Sequence, residues 1–450
     1  MKDWALRAAT AVVLGLASAG SCLSADLWVA PGGAGDGRPE RPFGTIAAAL
    51  EVAASGDVVR IRDGEYLESL ATTRDGAAGA PITVRAERRS AVVVTWRGTV
   101  LAVGHAHHVF EGLVLDGQYG GAPGVRVGAR ATGLVMRAVE VRRSGRDCID
   151  IAATRDVLVE GALVHHCLDA SGGRRDAHGI VAGAVRNLTI RDTEVHTFSG
   201  DGVQVDPGRA SPGWNEVTIE GCHFWLAPLP ADAAGFRAGA VTGENAVDTK
   251  TIVGGERARL TIRDTTARGF RGAIRNQAAF NLKEHVEAVV DRVSVSDSEI
   301  AFRVRGPGTR GAGGVWLRLT NAVVYGVDVA VRIEDAVEQL RIWSSTFGLG
   351  VGRAFLPAGV KTTGVDVQNV LVVNDRLEEP AAPGGHNLAV EPAAFVDAAG
   401  GDYHLAPGAR AIDAGMALPD VQYDRDGRRR PQGKAWDVGA YEAPAGSEPR

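Results

Sequence analysis

Cysteine and aromatic residues are scarce: 450 residues hold four Cys, and Phe, Trp and Tyr together make up 6%. Four cysteines cannot frame a small disulfide scaffold, and no C-x-x-C pair or His/Cys cluster has zinc spacing. A strong charge of one sign is also lacking. The 49 Lys and Arg against 54 Asp and Glu give a net charge of −5, which excludes a general attraction to nucleic acid or anionic membranes, so any basic site must be local. After the N-terminal segment no run approaches the ~18 apolar residues of a membrane span, and no long helical periodicity is present. Glycine, by contrast, is plentiful. Its 59 residues are roughly twice ordinary usage and imply many tight turns in a folded chain.

The N-terminus reads as an address. Lys2 and Arg7 precede an apolar run from Ala8 to Ala17, and Ser21-Cys-Leu-Ser-Ala25 follows. This pattern predicts a signal peptide over residues 1–25, cleaved near Ser24 or Ala25, and a secreted or periplasmic protein. Cys22 is a weaker candidate for a lipid anchor, because Ala19 stands where Leu is usual. Of the other cysteines, Cys148, Cys167 and Cys222, at least one must remain a free thiol.

Short alternating segments recur, among them Leu134–Val141, Val157–Val164, Leu188–Val195, Val217–Phe224, Leu260–Ala267, Ala288–Val295, Trp316–Val323, Leu340–Phe347 and Val365–Val372. Most are followed by a second apolar strand, such as Gly202-Val-Gln-Val, Ala246-Val-Asp-Thr, Ala273-Ile-Arg-Asn and Ala301-Phe-Arg-Val. Period-2 strands at this spacing, cornered by Gly or Asp, predict a parallel β-solenoid whose coils stack about 4.8 Å apart on one shared core. A propeller blade would need a longer repeat.

Trp28-Val-Ala-Pro-Gly-Gly33, Arg41-Pro-Phe-Gly-Thr-Ile-Ala-Ala-Ala-Leu50 and Ser55-Gly-Asp-Val-Val-Arg-Ile-Arg-Asp-Gly-Glu-Tyr66 resemble the N-terminal cap of secreted right-handed parallel β-helix proteins of the pectate-lyase-like superfamily. The resemblance implies an all-β single solenoid closed by a short helix near Thr45 to Ala54. Asp402–Gly415, Asp424–Arg430 and Asp437–Glu442 resemble the closing module of such proteins. The expected organisation is a cap with first coils over 26–100, repeats carrying the site over 101–375, a closing module over 376–442 and a tail over 443–450.

Alternation in the second-strand series sends Val203, Val205, Val247, Thr249, Ile274 and Phe302 inward. Two outward columns result: Asp150, Val181, Gln204, Asp248, Arg275, Arg303, Arg332, and beside it Ala152, Gly183, Asp206, Lys250, Gln277, Arg305, Glu334. Five cations thus share one strip with Asp150, Asp206 and Asp248 upstream, and Asp201 and Glu244 at nearby corners. Such a strip suits elimination on a uronate-containing polysaccharide, in which a base takes the C5 proton while a cation stabilises the carboxylate as charge develops. Lysine is a base only when neutral; adjacent Arg charge and burial favour that state, and a paired Asp opposes it.

Glu244-Asn-Ala-Val-Asp-Thr-Lys250, followed by Gly272-Ala-Ile-Arg275, resembles the Lys and Arg pair of the chondroitinase B and alginate lyase family, and also looks like the family-nine pectate lyases. The resemblance implies Lys250 as base, Arg275 as carboxylate clamp, and calcium at Asp201, Asp206, Asp248 and Glu244. Asp248, Gln277, Arg303, Arg305, His178 and Trp225 are candidate substrate contacts. The chain departs from both patterns: Asn276 follows the Arg where His is usual, and Gln204 stands where an Asp is expected. The segment from Trp225 to Thr242 reads as an insertion able to wall a cleft. The expected partner is an acidic polysaccharide, with no nucleic acid, no transmembrane segment and a monomeric state. Two other readings remain open: a glycoside hydrolase using paired Asp206 and Asp248, and a non-catalytic glycan-binding β-helix.

Overall fold

The computed structural model describes residues 24–447 except 172–175, 209–212, 253, 308–312, 360–363, 374–376, 378–379 and 381–384. The expected signal peptide up to Leu23, with Cys22, lies outside the described residues.

Each coil has three strands. In one, Arg186–Arg191 belongs to a first sheet, Glu194–Phe198 to a second and Val203–Val205 to a third. The chain then returns to the first sheet as Asn215–Glu220, where Leu188 pairs with Val217 and Ile190 with Ile219, in parallel. The first sheet stacks 13 strands from Asp26–Val29 to Val365–Gln368. The second and third sheets merge where Ser294–Arg305 and Val323–Glu334 run through both.

The repeats read in sequence as single strands are therefore strand pairs. A residue in the left-handed region stands inside every one: Ala138, Gly161, Asp192, Gly221, Asp264, Arg292, Asn321, Ser344 and Asn369 have φ between 46° and 63°. That conformation suits Gly, Asn and Asp best. It turns the chain from the first sheet into the second without interrupting the apolar alternation, which is why the pattern concealed the corner.

Inward side chains of all three sheets form one continuous core. Columns such as Ile190, Ile219, Ile262, Val290, Leu319 and Ile342 are fully buried, and Phe280 stacks on Phe302 with ring centroids 5.3 Å apart. The expected cap helix runs Ile46–Val52, with Thr45 accepting from the Ala48 N–H. The Glu68 carboxylate accepts from the N–H groups of Ile46 and Ala47, which satisfies the free helix end. Ile46, Ala49 and Leu50 face the coil stack, covering core that the first coil would otherwise expose.

At the other end the closing segment lies against the last coils. The buried Arg430 guanidinium pairs with Glu442 at 2.7 Å and donates to Asn321 Oδ1 at 3.0 Å. Arg425 donates to the Val293 carbonyl at 2.8 Å. Cys148 and Cys167 form a disulfide, and Cys222 is a buried free thiol. Among the described residues no helix is long and apolar enough to cross a membrane.

Candidate functional site

The third sheet carries the site. Its pairing places Asp150 beside Val181, Val181 beside Gln204 and Gln204 beside Asp248, as the outward column predicts. One coil further the register departs from expectation. Asp248 pairs with Asn281, and Asn281 with Arg303. The strand is Ala278–Leu282, with Phe280 in the inward position assigned from sequence to Ile274.

Ala273-Ile-Arg-Asn imitates Ala301-Phe-Arg-Val but forms a turn. Ile274 is 38% exposed, and Arg275 is exposed on that turn. Gln277 does not lie on the outward column either. It is fully buried at the corner, donating to the Gly243 carbonyl at 3.3 Å and accepting from the Ala273 N–H at 3.0 Å. The position expected for Arg275 and Gln277 belongs to Asn281 and Lys283. Phe280-Asn-Leu-Lys283 repeats the pattern of Val247-Asp-Thr-Lys250, and that echo was the available signal for Lys283.

Lys250 and Lys283 bracket Asp248. Lys283 Nζ lies 2.8 Å from Asp248 Oδ1, and Lys250 Nζ lies 3.8 Å from Oδ2 and 3.1 Å from Asp206 Oδ2. Asn281 Nδ2 also donates to Asp248 Oδ1, at 2.7 Å. Burial and then Asp201 push the Asp248 carboxyl up to about 6 in spite of the lysines. For Lys250, burial works against the charged form, but Asp248 and Asp206 outweigh it and raise its pKa. The ammonium state is thereby favoured, which opposes the neutral base expected from sequence.

Around this pair lie further carboxylates. Asp201 is 1% exposed. Its Oδ1 accepts from the Asn245 N–H and Nδ2, and its Oδ2 from Gln204 Nε2 at 2.8 Å. Burial, followed by Asp201, Asp176 and Asp248, pushes Glu244 up to about 7. The Glu244 carboxyl has no hydrogen-bond donor among the described residues. Burial also raises Asp150 and Asp176.

His178 borders the cluster. Its Nδ1 accepts from the Asp201 backbone N–H at 2.7 Å, so the ring proton sits on Nε2. Asp147 Oδ1 accepts from the His178 N–H at 3.0 Å and anchors the residue. Gly200 is required here, since a Cβ would lie 2.5 Å from His178 Nδ1. His178 and Asp176 line a groove of about 640 Å³ at the corner between the second and third sheets, together with Tyr119, Arg146 and Asp169. Ala234, from the expected insertion, closes one side. Trp225 is elsewhere: it ends a strand of the second sheet, stacks on His196 at 4.1 Å, and its Nε1 donates to Glu194 at 2.7 Å.

Arg303 and Arg305 face outward further along the third sheet, as expected. They converge with Arg332 on one carboxylate, Glu334, Arg303 at 3.0 Å and Arg305 at 3.1 Å. Three guanidinium groups on one carboxylate leave excess positive charge beyond the lysine pair.

Of the four carboxylates expected to hold calcium, Asp201, Asp206 and Asp248 are engaged by protein groups as placed. Calcium takes six or more oxygens. Both Asp201 oxygens accept from protein N–H groups. Asp206 accepts from the Gly208 N–H and Lys250, while Asp248 faces two lysines. Among the described residues no three His, Cys, Asp or Glu side chains converge as a metal set.

No family model matches the chain. A 71-residue stretch is 42% identical to the uncharacterized protein YwoF of Bacillus subtilis (strain 168), and spans 15% of each chain. Among solved structures, pectate lyase Pel9A aligns over 93% of this chain and 96% of its own, at 14% identity and a TM-score of 0.51. An alginate lyase from Paenibacillus sp. str. FPU-7 aligns over 71% of this chain and 96% of its own, at 16% identity and a TM-score of 0.43. At such identity the likeness is one of fold, and the chain is a right-handed parallel β-helix of the architecture found in Pel9A.

Proposed function

We propose that this protein binds a uronate-containing polysaccharide across the outer face of the third sheet at Lys250 and Lys283 and into the adjoining corner groove, and cleaves it by β-elimination. The observation that carries the reading is the pair of ammonium groups on adjacent coils, Lys250 and Lys283, with the Glu244 carboxyl, which has no hydrogen-bond donor among the described residues, close enough to feel the Lys250 charge. A uronate carboxylate laid against the lysines gains stabilisation as the C5 proton leaves and negative charge builds on it. Glu244, in its ionised form, takes that proton. The electrons of the C5–H bond form the C4=C5 double bond, and the C4–O bond breaks with protonation of the leaving oxygen by water. His178 donates from Nε2–H to a sugar oxygen in the groove. Lys250 holds the carboxylate here in place of the base role its sequence suggests, because Asp206 and Asp248 keep it charged. Export fits the N-terminal pattern and the Cys148–Cys167 disulfide.

The test is incubation with pectate, alginate and glycosaminoglycans while the absorbance of the unsaturated product is recorded. Activity should rise with pH around 7 as Glu244 ionises. Glu244→Gln should lower kcat by about 100-fold or more, the ordinary size of a general-base contribution. Absence of the unsaturated product with every polyuronate sinks elimination. A second reading, hydrolysis, draws on the same residue: a carboxyl that keeps its proton to near neutrality is suited to general acid work opposite an ionised Asp. Reducing ends released without the absorbance would establish it.

A further inference from the structure

We propose that Lys250 and Lys283 are a built-in replacement for a divalent cation, so that the acidic cluster of Asp206 and Asp248 on the third sheet is neutralised from within and takes up no calcium. The proposal stands whether or not this site is catalytic. Its basis is where the ammonium groups sit. They come from adjacent coils, and each approaches a different oxygen of Asp248: Lys283 at 2.8 Å from Oδ1, Lys250 at 3.8 Å from Oδ2. Lys250 also reaches Asp206 on the preceding coil at 3.1 Å. A calcium ion bridging carboxylates of neighbouring coils would use these same oxygens. Two ammonium groups carry the same total charge as one such ion.

Burial shows that these contacts are built into the fold. The Asp248 side chain is 3% exposed, Lys283 15% and Lys250 24%. Lys283 is fixed along its backbone as well, since its N–H donates to Thr249 Oγ1 at 3.0 Å. One oxygen nearby is left over: Asn281 Oδ1 is buried without a hydrogen-bond donor among the described residues, although its amide nitrogen donates to Asp248. Asp248, Asp206 and Asn281 therefore supply the hard oxygens that calcium prefers, and the lysines fill the space between them. Removal of one lysine should convert an internally neutralised cluster into one that takes up calcium.

The experiment titrates calcium into the full-length chain by calorimetry and follows melting in calcium or in EDTA. No substrate is present, so the outcome is separate from that of the cleavage assay. Wild-type protein should release no binding heat, and its Tm should be the same in both conditions. Lys283→Ala should melt several degrees lower in EDTA and recover most of that loss in millimolar calcium, with saturable binding heat. Should Lys283→Ala fail to fold, Lys250→Ala supplies the variant arm, with the same direction and a smaller shift. Saturable calcium uptake by the wild type that Asp248→Asn abolishes overturns the proposal. So does a failure of calcium to raise the Tm of whichever lysine variant folds.

Discussion

Charged side chains stack on successive coils of both the first and the third sheet, yet the two stacks have opposite electrostatics. On the first sheet Arg137, Glu160, Arg191, Glu220 and Arg263 alternate in sign along five coils. Every carboxylate there stands between two guanidinium groups near water, and the pKa values of Glu160 and Glu220 are lowered. Around Asp248 on the third sheet and at the adjoining corner the acids gather with fewer cations and more burial, and Asp150, Asp176, Glu244 and Asp248 are all raised. Charge on an outward strand position is thus no sign of function in itself. A charged group kept where its environment opposes its ionisation is the informative case, because nothing in the folding of a solenoid requires it.

The sharpest way to break this comparison removes one cation from each stack. Lys283→Ala leaves the buried Asp248 carboxylate without its nearest counterion and should cost about 3 kcal/mol at pH 8, in the range for breaking a buried pair. Below pH 5 the loss should shrink, since Asp248, with its pKa near 6, then carries its own proton. Arg191→Ala on the exposed ladder should leave the urea midpoint almost unchanged, as surface pairs contribute little. Equal losses in the two variants would erase the distinction between the sheets.

A smaller effect separates the stacks by the sign of their pH dependence. Glu244 rises from 4.5 to about 7 on folding, so between those values the native state binds more protons than the unfolded chain. Stability from this group must therefore fall as pH rises through that window. Glu244→Gln should flatten the slope and stabilise the protein at pH 8 by on the order of 2 kcal/mol, after allowance for solvent screening. Glu160 behaves in the opposite sense. Its lowered pKa gives stability that is present above its unfolded value and is lost as pH falls through the folded one, so Glu160→Gln should cost stability at neutral pH and make no difference in acid. Urea titrations across pH test both slopes, and a common direction would contradict the assignment.

The solenoid was legible because its core repeats: apolar alternation and the cap helix recur or stand in a recognisable place and were located to within a few residues, whereas the left-handed corner inside each repeat was hidden by the unbroken alternation. The column Asp150, Val181, Gln204, Asp248 was legible for the same reason. What failed was register across a corner of unusual length. Spacing between coils says nothing about how many residues a turn consumes, and Ala273-Ile-Arg-Asn satisfies strand alternation as well as the true strand does. Lys283 was lost with that slip. The state of Lys250 was illegible for another reason: the sequence shows that Asp248 and Asp206 are near, whereas the balance between their attraction and the cost of burial depends on distances of 3.8 and 3.1 Å that only the fold sets.

Arg275 gives the smallest expected effect and the cleanest check of that register. Were it on the third sheet one coil beyond Asp248, its guanidinium would face the lysines' substrate and its loss would resemble loss of Lys283. On an exposed turn before the buried Gln277, Arg275→Ala should change stability by no more than about 0.5 kcal/mol, as for other surface positions, and should leave kcat for polyuronate cleavage within a factor of about two. Charge on the turn can still attract an acidic chain from a distance, and that contribution should vanish at high ionic strength. A loss of kcat that persists in salt would mean that the turn from Gly272 to Asn276 closes over the bound substrate, and would return Arg275 to the clamp role that its sequence context suggests.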